Sequence, residues 1–74
     1  MKPHIKQAVL NAVPRVQDFE RRHGALYARV DGRTYTSLQR GCWRLSGTGL
    51  RPNEPTHAAL RRLEKELEAR RRFL

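Results

Sequence analysis

Between residues 5 and 23 the apolar side chains Ile5, Val9, Ala12, Val16 and Phe19 recur in steps of four, three, four and three. That spacing keeps one face of a helix apolar and predicts an amphipathic helix. Pro14 interrupts it, because its ring removes a helical hydrogen bond and disfavours helical geometry at Val13. The stripe keeps its phase across the proline, so the expectation is a kinked helix or two short helices in line. Gly24 then serves as a C-cap, with Arg21, Arg22 and His23 favourably placed in the last turn.

From Leu26 the period changes to two. Leu26-Tyr27-Ala28-Arg29-Val30 and Arg33-Thr34-Tyr35-Thr36-Ser37-Leu38 flank Asp31-Gly32. Asp-Gly between two such runs predicts a hairpin, since a type I′ turn needs positive φ at both central residues. A two-residue turn sets Val30 opposite Arg33, Ala28 opposite Tyr35 and Leu26 opposite Ser37. One face then carries Leu26, Ala28, Val30 and Tyr35, and the other Tyr27, Arg29, Thr34, Thr36, Leu38 and Arg40.

Cys42-Trp43-Arg44-Leu45-Ser46 alternates and predicts a third strand after a turn at Arg40-Gly41. The alternative is a short helix over residues 37–45, in which Gly41 would cost roughly 1 kcal/mol. Gly47-Thr48-Gly49 and Pro52-Asn53 form a connector. A last helix is predicted over residues 54–74, capped by Asn53 or Glu54, with Pro55 in its first turn. Leu60, Leu63, Leu67 and Leu74 line its apolar stripe, and Glu66→Arg70 and Glu68→Arg72 stand at the favourable i,i+4 spacing. The fold class is therefore α+β. Residues 1–74 make a single small domain of order α-β-β-β-α, with an antiparallel three-stranded sheet packed on N- and C-terminal helices.

Charge changes the picture. The chain of 74 residues carries 16 Lys and Arg against 7 Asp and Glu, a formal net charge of +9. So much like charge on a small body opposes compaction, and a polyanion relieves it. Nucleic acid is the ordinary polyanionic partner of a basic domain. Thirteen of the cations are arginine, whose planar fork grips phosphate and guanine edges with two bonds at once. A GC-rich coding sequence would also favour arginine over lysine, so the sign of the charge weighs more than the choice of residue.

The aliphatic face of the sheet must meet the helices, with Trp43 and Leu45 extending it. The other face then presents Tyr27, Arg29, Thr34, Thr36, Arg40 and Arg44 to solvent, with Arg33 beside the turn. Arginines and hydroxyls can bond phosphates, arginine can read guanine, and tyrosine can pack on sugar or base. B-DNA's major groove admits a two-stranded ribbon. The plainer reading is that threonine and arginine suit exposed strands and guard edges against aggregation. Arg61 and Arg62 on the last helix, with Arg21-Arg22 and Arg70-Arg71-Arg72, are further cationic clusters able to hold phosphates without reading sequence. A charge run on a helix is more often a solvated face.

No catalytic set emerges, and the expectation is no enzyme and no cofactor. His4, His23 and His57 lie far apart and outside metal-ligand spacings, so no metal site is expected either. Cys42 alone cannot form an internal disulfide and is expected to be an inert thiol. Gly47-Thr48-Gly49 lacks the lysine and length of a phosphate-binding loop, and no small-molecule substrate is implied. No apolar run reaches the roughly 18–20 residues needed to span a bilayer, and the start of the chain does not resemble a signal peptide. The expectation is a soluble, cytoplasmic protein.

The strings Tyr27-Ala28-Arg29-Val30-Asp31-Gly32-Arg33 and Leu45-Ser46-Gly47-Thr48-Gly49 ahead of a helix resemble the arm-DNA-binding domains of phage integrases. The α-β-β-β-α order also resembles a double-stranded RNA-binding domain. However, the paired lysines of such domains are replaced here by Pro55-Thr56-His57. Both likenesses are architectural and cover about half of the chain, and fold analogy does not establish function. The first expectation is a small DNA-binding accessory or regulatory protein, of the size that phages and mobile elements encode. The alternatives are an inhibitor or adaptor that docks on an acidic host protein, and an RNA-binding protein. The heptad spacing of Leu60, Leu67 and Leu74 also leaves a homodimer open.

Overall fold

The computed structural model describes residues 1–71. Arg72 and Leu74, expected to extend the last helix and its pairs, lie outside these residues.

Pro3–Ala12 form the first helix, α1, with a proline in the first turn, where a missing N–H costs nothing. It stops just before Pro14. Residues beyond Pro14 do not resume the helix: Val16–Arg22 is a strand, β1, followed by β2 (Ala25–Val30), β3 (Arg33–Gln39), β4 (Cys42–Leu45) and the helix α2 (Glu54–Ala69). The strands form one antiparallel sheet in the order β1-β2-β3-β4. The α+β architecture of an antiparallel sheet between terminal helices stands, with four strands in place of three.

The helix expected over residues 5–23 forms up to Ala12 but fails beyond Pro14, for a specific reason. Val16 and Phe19 are both buried, at 3% and 4% exposure. In a regular strand, residues three apart point to opposite faces. Here Val16 pairs with Val30 but Asp18 already pairs with Arg29, so Gln17 is an extra residue in a β-bulge. The bulge returns Phe19 to the face of Val16 and reproduces a helical spacing of apolar residues within a strand. Gln17 also anchors the neighbouring hairpin, its Oε1 accepting the Gly32 N–H at 2.8 Å.

Gly24 is likewise no helix cap. His23 and Gly24 have φ of 51° and 76°, the two-residue turn between β1 and β2. Asp31 and Gly32, at 53° and 75°, repeat it between β2 and β3 as the Asp-Gly signal predicts. The β2–β3 register follows the predicted pairing of Val30 with Arg33, Ala28 with Tyr35 and Leu26 with Ser37. Residues 42–45 are a strand and not part of a helix. Register shifts once more between Ser37 and Gln39, where the Ser37 hydroxyl donates to the Gln39 carbonyl at 2.7 Å.

Both helices cover one face of the sheet. Val9 from α1, Phe19, Val30 and Trp43 from the strands, and Leu60 and Leu63 from α2 meet in one core. Leu60 and Leu63 are fully buried and Leu67 is 6% exposed. Each such side chain contributes about 1.5–3 kcal/mol by leaving water. Leu60, Leu63 and Leu67 are thus occupied within the chain, while Leu74, the last member of the expected stripe, lies outside the described residues. Asn53 caps α2, its side chain accepting from the Thr56 N–H at 3.0 Å. The helix is pinned to the β3–β4 turn by Glu64, which accepts from the Trp43 indole at 2.7 Å and from the Gly41 N–H at 3.1 Å. No helix of the described residues is long and apolar enough to cross a membrane.

Candidate nucleic-acid interface

Alternation along the strands, corrected for the two bulges, determines what faces away from the helices. Two rows of side chains cross this outer face. One runs Asp18, Arg29, Thr34 and the other Glu20, Tyr27, Thr36, Arg44, each taking one residue per strand through the pairing register. Arg29, Thr34 and Arg44 are exposed, while Tyr27 and Thr36 are half-buried. Five of the residues expected to form a site therefore share one surface: Tyr27, Arg29, Thr34, Thr36 and Arg44.

The remaining four do not join them. Arg40 sits in the β3–β4 turn and reaches to the helix side, where it pairs with Glu68. The bulge at Leu38 ends the regular alternation before that turn, so Arg40 does not continue the outer row. Arg33 is in register with Val30 and by alternation belongs to the other side, although it is exposed at the start of its strand. Arg61 and Arg62 are exposed on α2. Because α2 lies over the opposite face of the sheet, these two belong to the other side of a two-layer molecule. One ligand lying flat on the sheet cannot touch them.

Three charged groups of this face fall within the segment expected to be helical: Asp18, Glu20 and Arg22. They make the outer face electrically uneven. Its β1 edge holds two carboxylates and its β4 side holds Arg44. Lys6 reaches across from α1 to pair with Asp18 at 2.8 Å and lies 5.5 Å from the centre of the Phe19 ring. Asp18 is held below the usual carboxylate range, first by the bond from Lys6, then by the Phe19 N–H and the charge of nearby Arg29; burial opposes this shift. Arg22 pairs with Glu20 at 3.0 Å and lies over the Tyr27 ring, 5.2 Å from its centre. A second two-residue turn, at His23-Gly24, was the sequence signal for this strand. Its glycine served equally well as a helix end.

Beside Tyr27 the outer face opens into a groove lined by Thr36, Leu38, Cys42 and Arg44, with Gly47 and Gly49 of the following loop. Leu38 is 81% exposed at its rim. Arg44 gives one N–H to the Trp43 carbonyl at 2.7 Å. Trp43 itself is fully buried and belongs to the core. Cys42 is half-buried. On α2, Glu66 holds Arg70 at 2.7 Å and Arg62 at 3.1 Å. Its carboxyl is lowered first by Arg70, with Arg62 adding to the effect and burial opposing it. No group of three His, Cys, Asp or Glu among the described residues is arranged to hold a metal ion.

No known protein family, curated protein or solved structure matches the chain. The likeness to integrase arm-binding and double-stranded RNA-binding domains thus rests on short strings and element order alone. The fourth strand departs from the α-β-β-β-α order on which the second of these depends.

Proposed function

We propose that this chain is a non-enzymatic nucleic-acid-binding protein, an accessory or regulatory factor whose first expected target is DNA. One observation carries the reading. The carboxylates are largely engaged: Asp18, Glu20, Asp31, Glu66 and Glu68 stand in ion pairs, and Glu64 is bonded by Trp43 and Gly41. Arg29, Arg33, Arg44, Arg51, Arg61 and Lys65 are exposed and make no ion pair among the described residues. The surplus charge therefore lies on the surface, where a phosphate backbone can reach it.

Neutralising about four phosphates gives a log–log salt slope of roughly −3 to −4. Raising salt from 50 to 200 mM should then weaken binding by roughly 60- to 250-fold. Anisotropy titrations with labelled oligonucleotides read this directly. A flat response, or no binding at the lower salt, refutes the proposal. Co-purification of one stoichiometric protein that resists nuclease would replace it with the adaptor reading. Arg29→Ala with Arg44→Ala should weaken binding more than Arg61→Ala with Arg62→Ala; the reverse order would move the interface to α2.

A further inference from the structure

We infer that the outer face of the sheet takes a single strand and not a duplex, with an unstacked base lying in the groove between Tyr27 and Leu38. The inference rests on the nucleic-acid reading above and narrows its ligand.

Width is the first argument. Four strands spaced about 4.8 Å apart place the outer two roughly 14 Å from each other before side chains are added. B-DNA's major groove is about 12 Å wide and admits a two-stranded ribbon. The addition of β1 makes this face too broad to enter the groove as a whole.

Charge is the second. A duplex laid on the face brings two phosphate backbones to it, and one of them would meet the β1 edge. Asp18 and Glu20 stand there, one row apart on the same strand, and their pairs with Lys6 and Arg22 use up the cations of that edge, so β1 offers a phosphate backbone no unpaired cation on this face. A single strand avoids them by following the β3–β4 side, where Arg44 lies in register with Thr36.

The third argument is the groove. Duplex contacts require polar groups aimed at phosphates and base edges. Thr36, Gln39 and Ser46 also line this groove, yet its surface is mainly apolar, with Leu38, Cys42, Leu45 and the flank of Tyr27 in its lining and Arg44 as its cation. Leu38 is nearly fully exposed in a bulge, so covering it releases water from apolar surface. An aromatic ring beside an aliphatic side chain, with guanidinium groups around them, suits the apolar face of a base and the phosphate next to it. Arg22, stacked on Tyr27, holds the ring in place from the far side. Nothing in this chemistry requires or forbids a 2′-hydroxyl, so the shared ligand is a single strand of DNA or RNA.

The test compares three labelled probes of one sequence by anisotropy at 100 mM salt: single-stranded DNA, single-stranded RNA, and the DNA duplex. At least one single strand should bind tenfold or more tightly than the duplex. Tyr27→Leu should weaken that strand about 5- to 100-fold, the range found for lost base stacking. Leu38→Ser, which removes apolar cover but no ring, should weaken it by about threefold or more. Both should leave duplex binding within about twofold. Leu38→Ser alters an exposed side chain and keeps the test valid should Tyr27→Leu lower stability. Preference for RNA or for DNA among the strands supports the inference either way. Salt-dependent duplex binding as tight as strand binding, with both variants silent, overturns it while leaving the nucleic-acid reading standing. No binding of any probe at 50 mM salt removes both.

Discussion

Replacing Glu64 tests whether the scaffold holds the outer face as described. Its carboxylate accepts the Trp43 indole N–H at 2.7 Å and the Gly41 N–H at 3.1 Å. Trp43 is fully buried, so Glu64→Ala leaves its donor without its protein partner. An orphaned buried donor costs about 1–3 kcal/mol. Gly41 is exposed and can turn to solvent, so it adds little. For a domain of this size about 1 kcal/mol moves Tm by roughly 4–8 °C, and Glu64→Ala should lower it by about 8–16 °C, taking the middle of that cost. Glu64→Gln keeps an acceptor oxygen but loses its charge and should fall between the two proteins. Thermal unfolding followed by circular dichroism and by Trp43 fluorescence reads both variants. Arg44 follows Trp43 on the same short strand, so strand binding should weaken with the clamp. A Tm for Glu64→Ala within 2 °C of the parent would show that the clamp does not hold α2 to the β3–β4 turn.

Two further outcomes follow from the turns and the ion pairs. No atom lies within 4 Å of the site where a Cβ on Gly24 would stand, so Gly24→Ala is resisted only by its φ of 76°; a loss of roughly 1–2 kcal/mol is expected in urea unfolding, and an unchanged midpoint would contradict the two-residue turn. Asp18 and Glu66 both have lowered carboxyl pKa values, so their contribution is complete above the unfolded-state value and is lost as pH falls through the lower folded one. Urea midpoints should not respond to these groups between about pH 7 and 5 and should decline below about pH 4.5. Lys6→Met should flatten part of that decline, and an unchanged slope would contradict the Lys6–Asp18 pair.

Much of the sheet was legible because its cues are local. Asp31-Gly32 dictates positive φ twice, the two-residue loop determines which residues face each other, and alternation then separates Tyr27, Arg29, Thr34 and Thr36 from the core side. Asn53 followed by Pro55 marks the start of α2 in the same local way. Residues 16–22 misled for an equally physical reason. A bulge at Gln17 gives a strand the three-residue spacing of a helix, and a glycine with positive φ ends either element. The misread strand is also the one that brings Asp18 and Glu20 to the outer face, so the unevenness of the site stayed hidden with it.

The chain alone determines its surplus of arginine, the hairpin and its register, and the apolar stripe of the last helix, since each depends on composition or on neighbours a few residues apart. Tertiary structure decides the rest: that Leu60, Leu63 and Leu67 are spent inside the chain, that Arg40 turns to Glu68, and that Arg61 and Arg62 lie across the molecule from Arg29 and Arg44. Those outcomes depend on which face of the sheet the helices cover and on where a bulge shifts the pairing. Both are settled by packing between segments distant in sequence, and no local pattern encodes them.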